Sequence, residues 1–151
     1  MFLGVSTLNL DAKGRIAIPA KHRETLAQTC ASRVVVTINP NRDDRCLWLY
    51  PENEWREIAR NLSRLPPMIR QNQLIQRLML GHASEVELDG QGRVLLPNEL
   101  REYAGLHKDC VILGIDSFLE IWDDSEYRAY WDRNEAEFQQ AAEELGKIIA
   151  V

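Results

Sequence analysis

Two aspartate–arginine pairs are the clearest chemical signal in this chain: Asp11 with Arg15 and Asp89 with Arg93, each spaced by four and interrupted by a glycine, Gly14 or Gly92. Two chemistries use these residue types. Carboxylates supplied by two related units can share a proton, as the dyad of an aspartic protease does. An arginine on a turn can instead offer its planar donor fork to guanine O6/N7 or to a phosphate. The dyad fits poorly. Asp11 is followed by Ala-Lys-Gly and Asp89 by Gly-Gln-Gly, where such proteases carry Thr or Ser and then Gly. The neighbouring arginine would also hold each carboxylate ionised, which opposes proton sharing. A third reading gives the pairs no ligand at all, each Asp and Arg simply bracing its own turn. Other constellations are thin. His22, His82 and His107 are isolated from one another and from cysteine, so zinc spacing is absent, and no glycine-rich phosphate loop occurs. The expectation is a protein without metal, cofactor or enzymatic activity.

The elements that must position these pairs come from an internal repeat. Leu8 to Pro19 recurs as Val86 to Pro97, sharing Leu10/Leu88, Asp11/Asp89, Gly14/Gly92, Arg15/Arg93 and Pro19/Pro97, with Arg23/Arg101 following. Further on, Val34-Val35-Val36 aligns with Val111-Ile112-Leu113, and Leu47 to Tyr50 with Leu119 to Trp122. The offset falls from 78 to 72, which places about six extra residues in the first copy, in the turn-forming run Asn39 to Asp44. Each copy reads as strand, Asp-x-x-Gly turn, strand, short helix opened by proline, then a second hairpin. A half of four strands has open edges, so two halves are expected to close on each other as one barrel. The expected class is α+β: one pseudo-twofold β-barrel with flanking helices, built from residues 1–76 and 77–151.

Helical spacing marks the rest. Pro51 opens a helix with Trp55, Ile58, Ala59, Leu62 and Leu65 on one face, and Pro66-Pro67 stops it. A second helix, about Ile69 to Leu80, stops at Gly81. From about Ser125 the residues Tyr127, Trp131, Asn134, Phe138, Ala141, Leu145 and Ile148 follow seam spacing, a face that covers the barrel or meets another subunit.

Composition agrees with a folded protein: 151 residues, 45% hydrophobic and 27% charged. No apolar run is long enough to span a bilayer, no signal-peptide pattern opens the chain, and Cys30, Cys46 and Cys110 cannot all pair, so a reduced cytoplasmic setting is expected. The net charge of −5 argues against a nucleic-acid binder until it is divided. Residues 1–77 carry 12 basic and 7 acidic side chains, whereas residues 78–151 carry 6 and 16. That asymmetry suits a polyanion-binding face and an acidic remainder.

The same residues carry a family likeness. Met1-Phe2-Leu3-Gly4, Asn9 to Ile16 and Ile18-Pro19 resemble the start of MraZ proteins, and Arg77 to Glu85 ahead of Asp89-Gly90-Gln91-Gly92-Arg93 resembles their second half. The resemblance covers most of the chain and fades after about Trp122. It implies an AbrB-like swapped-hairpin barrel and a ring-shaped homo-oligomer. It further implies a nucleoid-associated DNA-binding regulator of the bacterial division and cell-wall gene cluster, its own promoter included. Direct repeats in double-stranded promoter DNA would be the target and repression the expected sign. No membrane or small-molecule substrate is implied.

Carried over by position, Arg15 is the first candidate for DNA contact, with Lys13 on the same turn and Lys21 and Arg23 on the helix that follows. Asp11, Gly14, Asp89 and Gly92 shape the turns. Arg93 assists or is structural, because the second copy has Gln91 where the first has Lys13 and Glu99 where it has Lys21. The alternative class is an oligomeric protein-binding scaffold without DNA readout, its basic half addressing an acidic protein.

Overall fold

A computed structural model describes residues 1–149. In chain order it contains β1 (Phe2–Asn9), β2 (Arg15–Ala17), α1 (Ala20–Cys30), β3 (Arg33–Ile38), β4 (Leu47–Pro51), α2 (Glu52–Ser63), α3 (Arg70–Met79), β5 (Ser84–Glu87), β6 (Arg93–Leu95), α4 (Asn98–Ala104), β7 (Asp109–Asp116), β8 (Phe118–Asp123), α5 (Asp124–Arg133) and α6 (Glu135–Ile149). Prolines set three helix starts. Pro19, Pro51 and Pro97 sit one residue ahead of α1, α2 and α4 with ψ of 140°, 143° and 146°, so each is the extended capping residue rather than the first helical one. Their fixed φ suits that place, and the missing N–H removes no helical bond. Gly105 ends α4 in the left-handed region at φ 61°.

Six strands form one antiparallel sheet in the order β1-β7-β8-β4-β3-β5, and β2 pairs with β6 in a separate two-stranded ribbon. The first strand of each copy pairs with the other copy: β1 runs against β7 from Phe2–Asp116 to Asn9–Asp109, and β5 runs against β3. Equivalent residues meet where the copies face each other, Ile16 with Val94 in the ribbon and Trp48 with Glu120 between β4 and β8. The Trp48 indole donates to the Glu120 carboxylate at 3.0 Å.

The expected closed barrel is not found. Among the described residues β1 and β5 remain the edges of the large sheet, and the ribbon meets the chain just past β1 through an isolated bridge between Leu10 and Ile16. Strands of three residues, ended by Ile18-Pro19 and Leu96-Pro97, are too short to carry ladders on both sides. The register also shifts the repeat by one residue. Leu8 opposes Cys110 and its equivalent Val86 opposes Val34, so Val34-Val35-Val36 matches Cys110-Val111-Ile112. In a run of similar apolar residues only the in–out alternation fixes this, and Val34 and Cys110 both point into the core while Val35 and Val111 point out.

The main core lies between the sheet and the ribbon and draws on both copies. Phe2, Ile16, Ile18, Leu26, Val36 and Leu49 pack in one cluster with Val94, Leu96, Leu100, Ile112, Leu119 and Ile121. On the outer face, α2 and α3 cover β3 and β4 through Trp55, Ile58, Ile75 and Met79 over Val35 and Tyr50. α5 covers Val111 and Trp122 with Tyr127 and Tyr130. The expected single C-terminal helix is broken at Asn134 (φ −108°, ψ 15°), whose side-chain amide donates to the Tyr130 carbonyl at 2.8 Å. The bend lets Phe138 reach Tyr130 and Trp131 at centroid distances of 5.7 and 4.3 Å. A straight helix would carry it about 10–12 Å further along the axis. Beyond Phe138, Ala141, Leu145 and Ile148 are exposed, so that stripe covers nothing of its own body.

Candidate nucleic-acid interface

Each Asp-x-x-Gly turn is closed by the same backbone bonds. Gly14 N–H donates to the Asp11 carbonyl and Asp11 N–H to that of Arg15, as Gly92 does to Asp89 and Asp89 to Arg93. Asp11 Oδ1 accepts from the backbone N–H of Lys13 and of Arg15, both at 2.9 Å, and Asp89 Oδ1 accepts likewise from Gln91 and Arg93. The other oxygen, Oδ2, takes the arginine: Nε of Arg15 at 2.7 Å on Asp11 and Nε of Arg93 at 2.8 Å on Asp89. The Arg15 backbone N–H, and then its guanidinium, hold the Asp11 carboxyl down at about 2, and the Arg93 N–H and side chain lower Asp89 in the same way. Both carboxylates are therefore charged at neutral pH, and each orients its arginine through Nε alone. Among the described residues, Nη1 and Nη2 of Arg15 and of Arg93 take no hydrogen-bond partner.

The ribbon register decides where those forks lie. Arg15 opposes Leu95 and Ala17 opposes Arg93, while Ile16 and Val94 between them are buried. Side chains alternate along a strand, so Arg15, Ala17, Arg93 and Leu95 share the outer face, with the two arginines on a diagonal. The same register sets the turns of Asp11 and Asp89 at opposite ends of the ribbon. Neither aspartate neighbours the other, which removes the geometry a proton-sharing dyad requires. Among the described residues there is no group of three or more His, Cys, Asp or Glu placed to hold a metal ion.

The remaining sequence candidates separate. Lys13 is exposed at the tip of the first turn. Lys21 is exposed on α1 and lies over Gly4 of β1, its Nζ 2.8 Å from the position a Cβ would occupy there. Arg23 is engaged within the fold: Nε donates to the Ile18 carbonyl at 2.6 Å and Nη1 to the Gln91 carbonyl at 3.2 Å. It lies across the second turn, and Arg101 lies reciprocally across the first with its Nε on the Leu96 carbonyl. The sequence pairs Arg23 with Arg101 by offset, but nothing local reveals that each braces the other copy's glycine. Leu95, 54% exposed beside Arg15, becomes visible as part of this face only through the register.

These braces explain why the turn glycines admit no side chain. Gly14 and Gly92 have φ of 85° and 73°, and a Cβ on Gly92 would lie 2.0 Å from Arg23 Cδ. Gly92→Ala is therefore expected to destabilise the protein by about 1–3 kcal/mol through strain and displacement of Arg23. Urea unfolding measures this, and a midpoint equal to that of the parent would show that Arg23 moves aside freely.

Comparison with known proteins gives one family. The sequence model described as "MraZ protein, putative antitoxin-like" matches twice, over residues 1–78 and 79–148. A protein of Thioalkalivibrio sulfidiphilus (strain HL-EbGR7) named "Transcriptional regulator MraZ" is 47% identical over 140 residues, 91% of this chain and 91% of that protein. The protein of the same name from Halorhodospira halophila (strain DSM 244 / SL1) is 46% identical over 94% of this chain and 90% of its own length. A third so named, from Nitrosococcus oceani (strain ATCC 19707 / BCRC 17464 / JCM 30415 / NCIMB 11848 / C-107), is 44% identical over the whole chain and 98% of its own.

Proposed function

The chain belongs to the MraZ family, and from that membership and the geometry of its ribbon we propose that it is a sequence-specific DNA-binding transcriptional regulator. It represses its own promoter and the division and cell-wall cluster by binding direct repeats as a ring-shaped homo-oligomer in the cytoplasm, on the nucleoid. It is a binding protein, not an enzyme, and uses no cofactor. No helix among the described residues is long and apolar enough to cross a membrane. Residues 1–76 and 77–151 act as the two halves of one AbrB-like, swapped-hairpin body, a reading supported by the exchange of β1 and β5 between copies.

One observation carries the proposal: two arginines on one ribbon face, each held at Nε by an ionised carboxylate with its terminal nitrogens unpaired among the described residues. A two-stranded ribbon fits the major groove, where an arginine fork matches guanine O6 and N7. Arg15 reads a base edge. Lys13 neutralises phosphate beside it, Lys21 does so from α1, Arg93 assists from the other end of the ribbon, and Leu95 offers apolar surface to a thymine methyl. Arg23 contributes through the turn that it braces.

A mobility shift on the protein's own upstream region, competed with unrelated DNA and with heparin, tests this. Upstream DNA is expected to outlast both competitors. Two phosphate contacts per engaged subunit, from Lys13 and Lys21, correspond to a salt slope of about −1.8, or roughly three- to fourfold weaker binding per doubling of salt for each subunit on DNA. Equal competition by all three polyanions would instead favour a scaffold whose basic half meets acidic partners without reading sequence.

A further inference from the structure

The two copies expose different amounts of the same surface. In the first copy, the outer face of β3 is closed by α3: Met79 and Ile75 pack in the cluster of Val35, and the Thr37 hydroxyl, on a residue 0% exposed, donates to the Met79 carbonyl at 2.7 Å. The equivalent face of the second copy is that of β7 and β1. Its cross-strand pairs are Val5–Leu113 and Leu3–Ile115. α5 reaches Val111 and part of Leu113, and no described helix lies over the rest. Leu3 is left 58% exposed, Val5 59% and Ile115 42%, an apolar cluster on an edge strand. Isolated apolar residues need no explanation, but a contiguous patch at a position closed by a helix in the other copy does.

α3 has a second face. Ile75, Leu78 and Met79 point into its own body, whereas Arg70, Leu74 and Arg77, spaced by four and three, share the outer side and are exposed, Leu74 by 42%. Met68 and Ile69, just before the helix, are exposed too. Residues 58–81 carry Arg60, Arg64, Arg70 and Arg77 and no acidic side chain. Carboxylates stand beside the bare face: Asp109 and Asp116 end β7, and α5, which packs on Val111, carries Asp124, Glu126 and Asp132 with Arg128 and Arg133.

We propose that α3 of one chain docks through Leu74, flanked by Arg70 and Arg77, onto the Leu3–Val5–Ile115 face of β1 and β7 of a second copy. The helix then lies between its own sheet and its neighbour's, and the second copy's face receives the cover that the first copy's already has. The contact joins two different surfaces, so it is head-to-tail and leaves one free surface of each kind on every dimer. Repetition ends only when a ring closes. Arginine and carboxylate at the rim set the register and disfavour α3 against α3. The inference rests on the oligomeric part of the function proposed above and needs no DNA to be tested.

The experiment measures the solution mass of the full chain by light scattering, for the parent and for Leu74→Lys, Val5→Lys and Ile115→Lys. All three sites are surface positions, and circular dichroism verifies that each variant is folded. The parent is expected at several times the 17.4 kDa chain mass and each variant at one chain mass. Mixing Leu74→Lys with Val5→Lys restores one intact pair of faces and leaves lysine facing lysine at the other. That mixture is expected to stop at twice the chain mass, an outcome no symmetric same-face contact produces. Variants that keep the parent's mass, or a mixture that stays at one chain mass, would refute this contact and leave the ring standing. A parent at one chain mass would remove the ring as well.

Discussion

Arg15→Ala is expected to lower affinity for the repeat-bearing promoter at least about 100-fold while the mass of the assembly stays unchanged. The size follows from two factors. A bidentate arginine–guanine contact contributes about 1–3 kcal/mol of discrimination, and in the proposed ring the loss would recur at every subunit on the DNA. Truncation also leaves the Asp11 carboxylate, held ionised by the backbone N–H groups of Lys13 and Arg15, without its counter-charge beside phosphate. The fold should tolerate the change. Arg15 forms a partly exposed ion pair with Asp11, a class of interaction that contributes little to stability. Arg15→Lys separates charge from geometry, since lysine keeps the charge and lacks the fork. It is expected to retain salt-sensitive binding to any duplex and to lose the preference for the repeats. Arg93→Ala should cost about tenfold, because Gln91 and Glu99 stand where the first copy has Lys13 and Lys21. A ring of Arg15→Ala that still shifts promoter DNA like the parent would overturn the assignment.

Much of this site could be read from residue types at fixed offsets. Asp11, Gly14 and Arg15 repeat as Asp89, Gly92 and Arg93, and a turn in which Asp bonds N–H groups two and four residues on is a local device that short-range sequence specifies. Helix limits were similarly local: proline before α1, α2 and α4, and glycine after α4. Non-local register was not legible. That Arg15 faces Leu95, or that Arg23 lies over Gly92, depends on strands some 78 residues apart finding one alignment. The apolar run of β7 accepts a one-residue slip until Leu8 opposite Cys110 fixes it. The bend at Asn134 escaped for a related reason. Seam spacing continues through it, and only the packing of Phe138 on Trp131 and Tyr130 selects the broken form.

The exchange of first strands has a consequence for the chain cut in two. Residues 1–81 alone are expected to show no cooperative unfolding at the mass of one fragment, and neither are residues 82–151, whereas an equimolar mixture should fold. In the whole chain β1 pairs with β7 along its full length and β5 pairs only with β3, so each fragment loses the ladder partner of its first strand. The core is divided as well. Removing the second fragment uncovers the site of five fully buried side chains, Leu96, Leu100, Ile112, Leu119 and Ile121. At about 1.5–3 kcal/mol each, their burial amounts to roughly 7–15 kcal/mol, the size of a domain's whole net stability. A fragment near 80 residues has no reserve to replace it. Circular dichroism melting, with light scattering for mass, reads the result. Fragment 1–81 melting cooperatively as a monomer would mean that β1 finds a partner within its own half, and the two copies would then be separate domains.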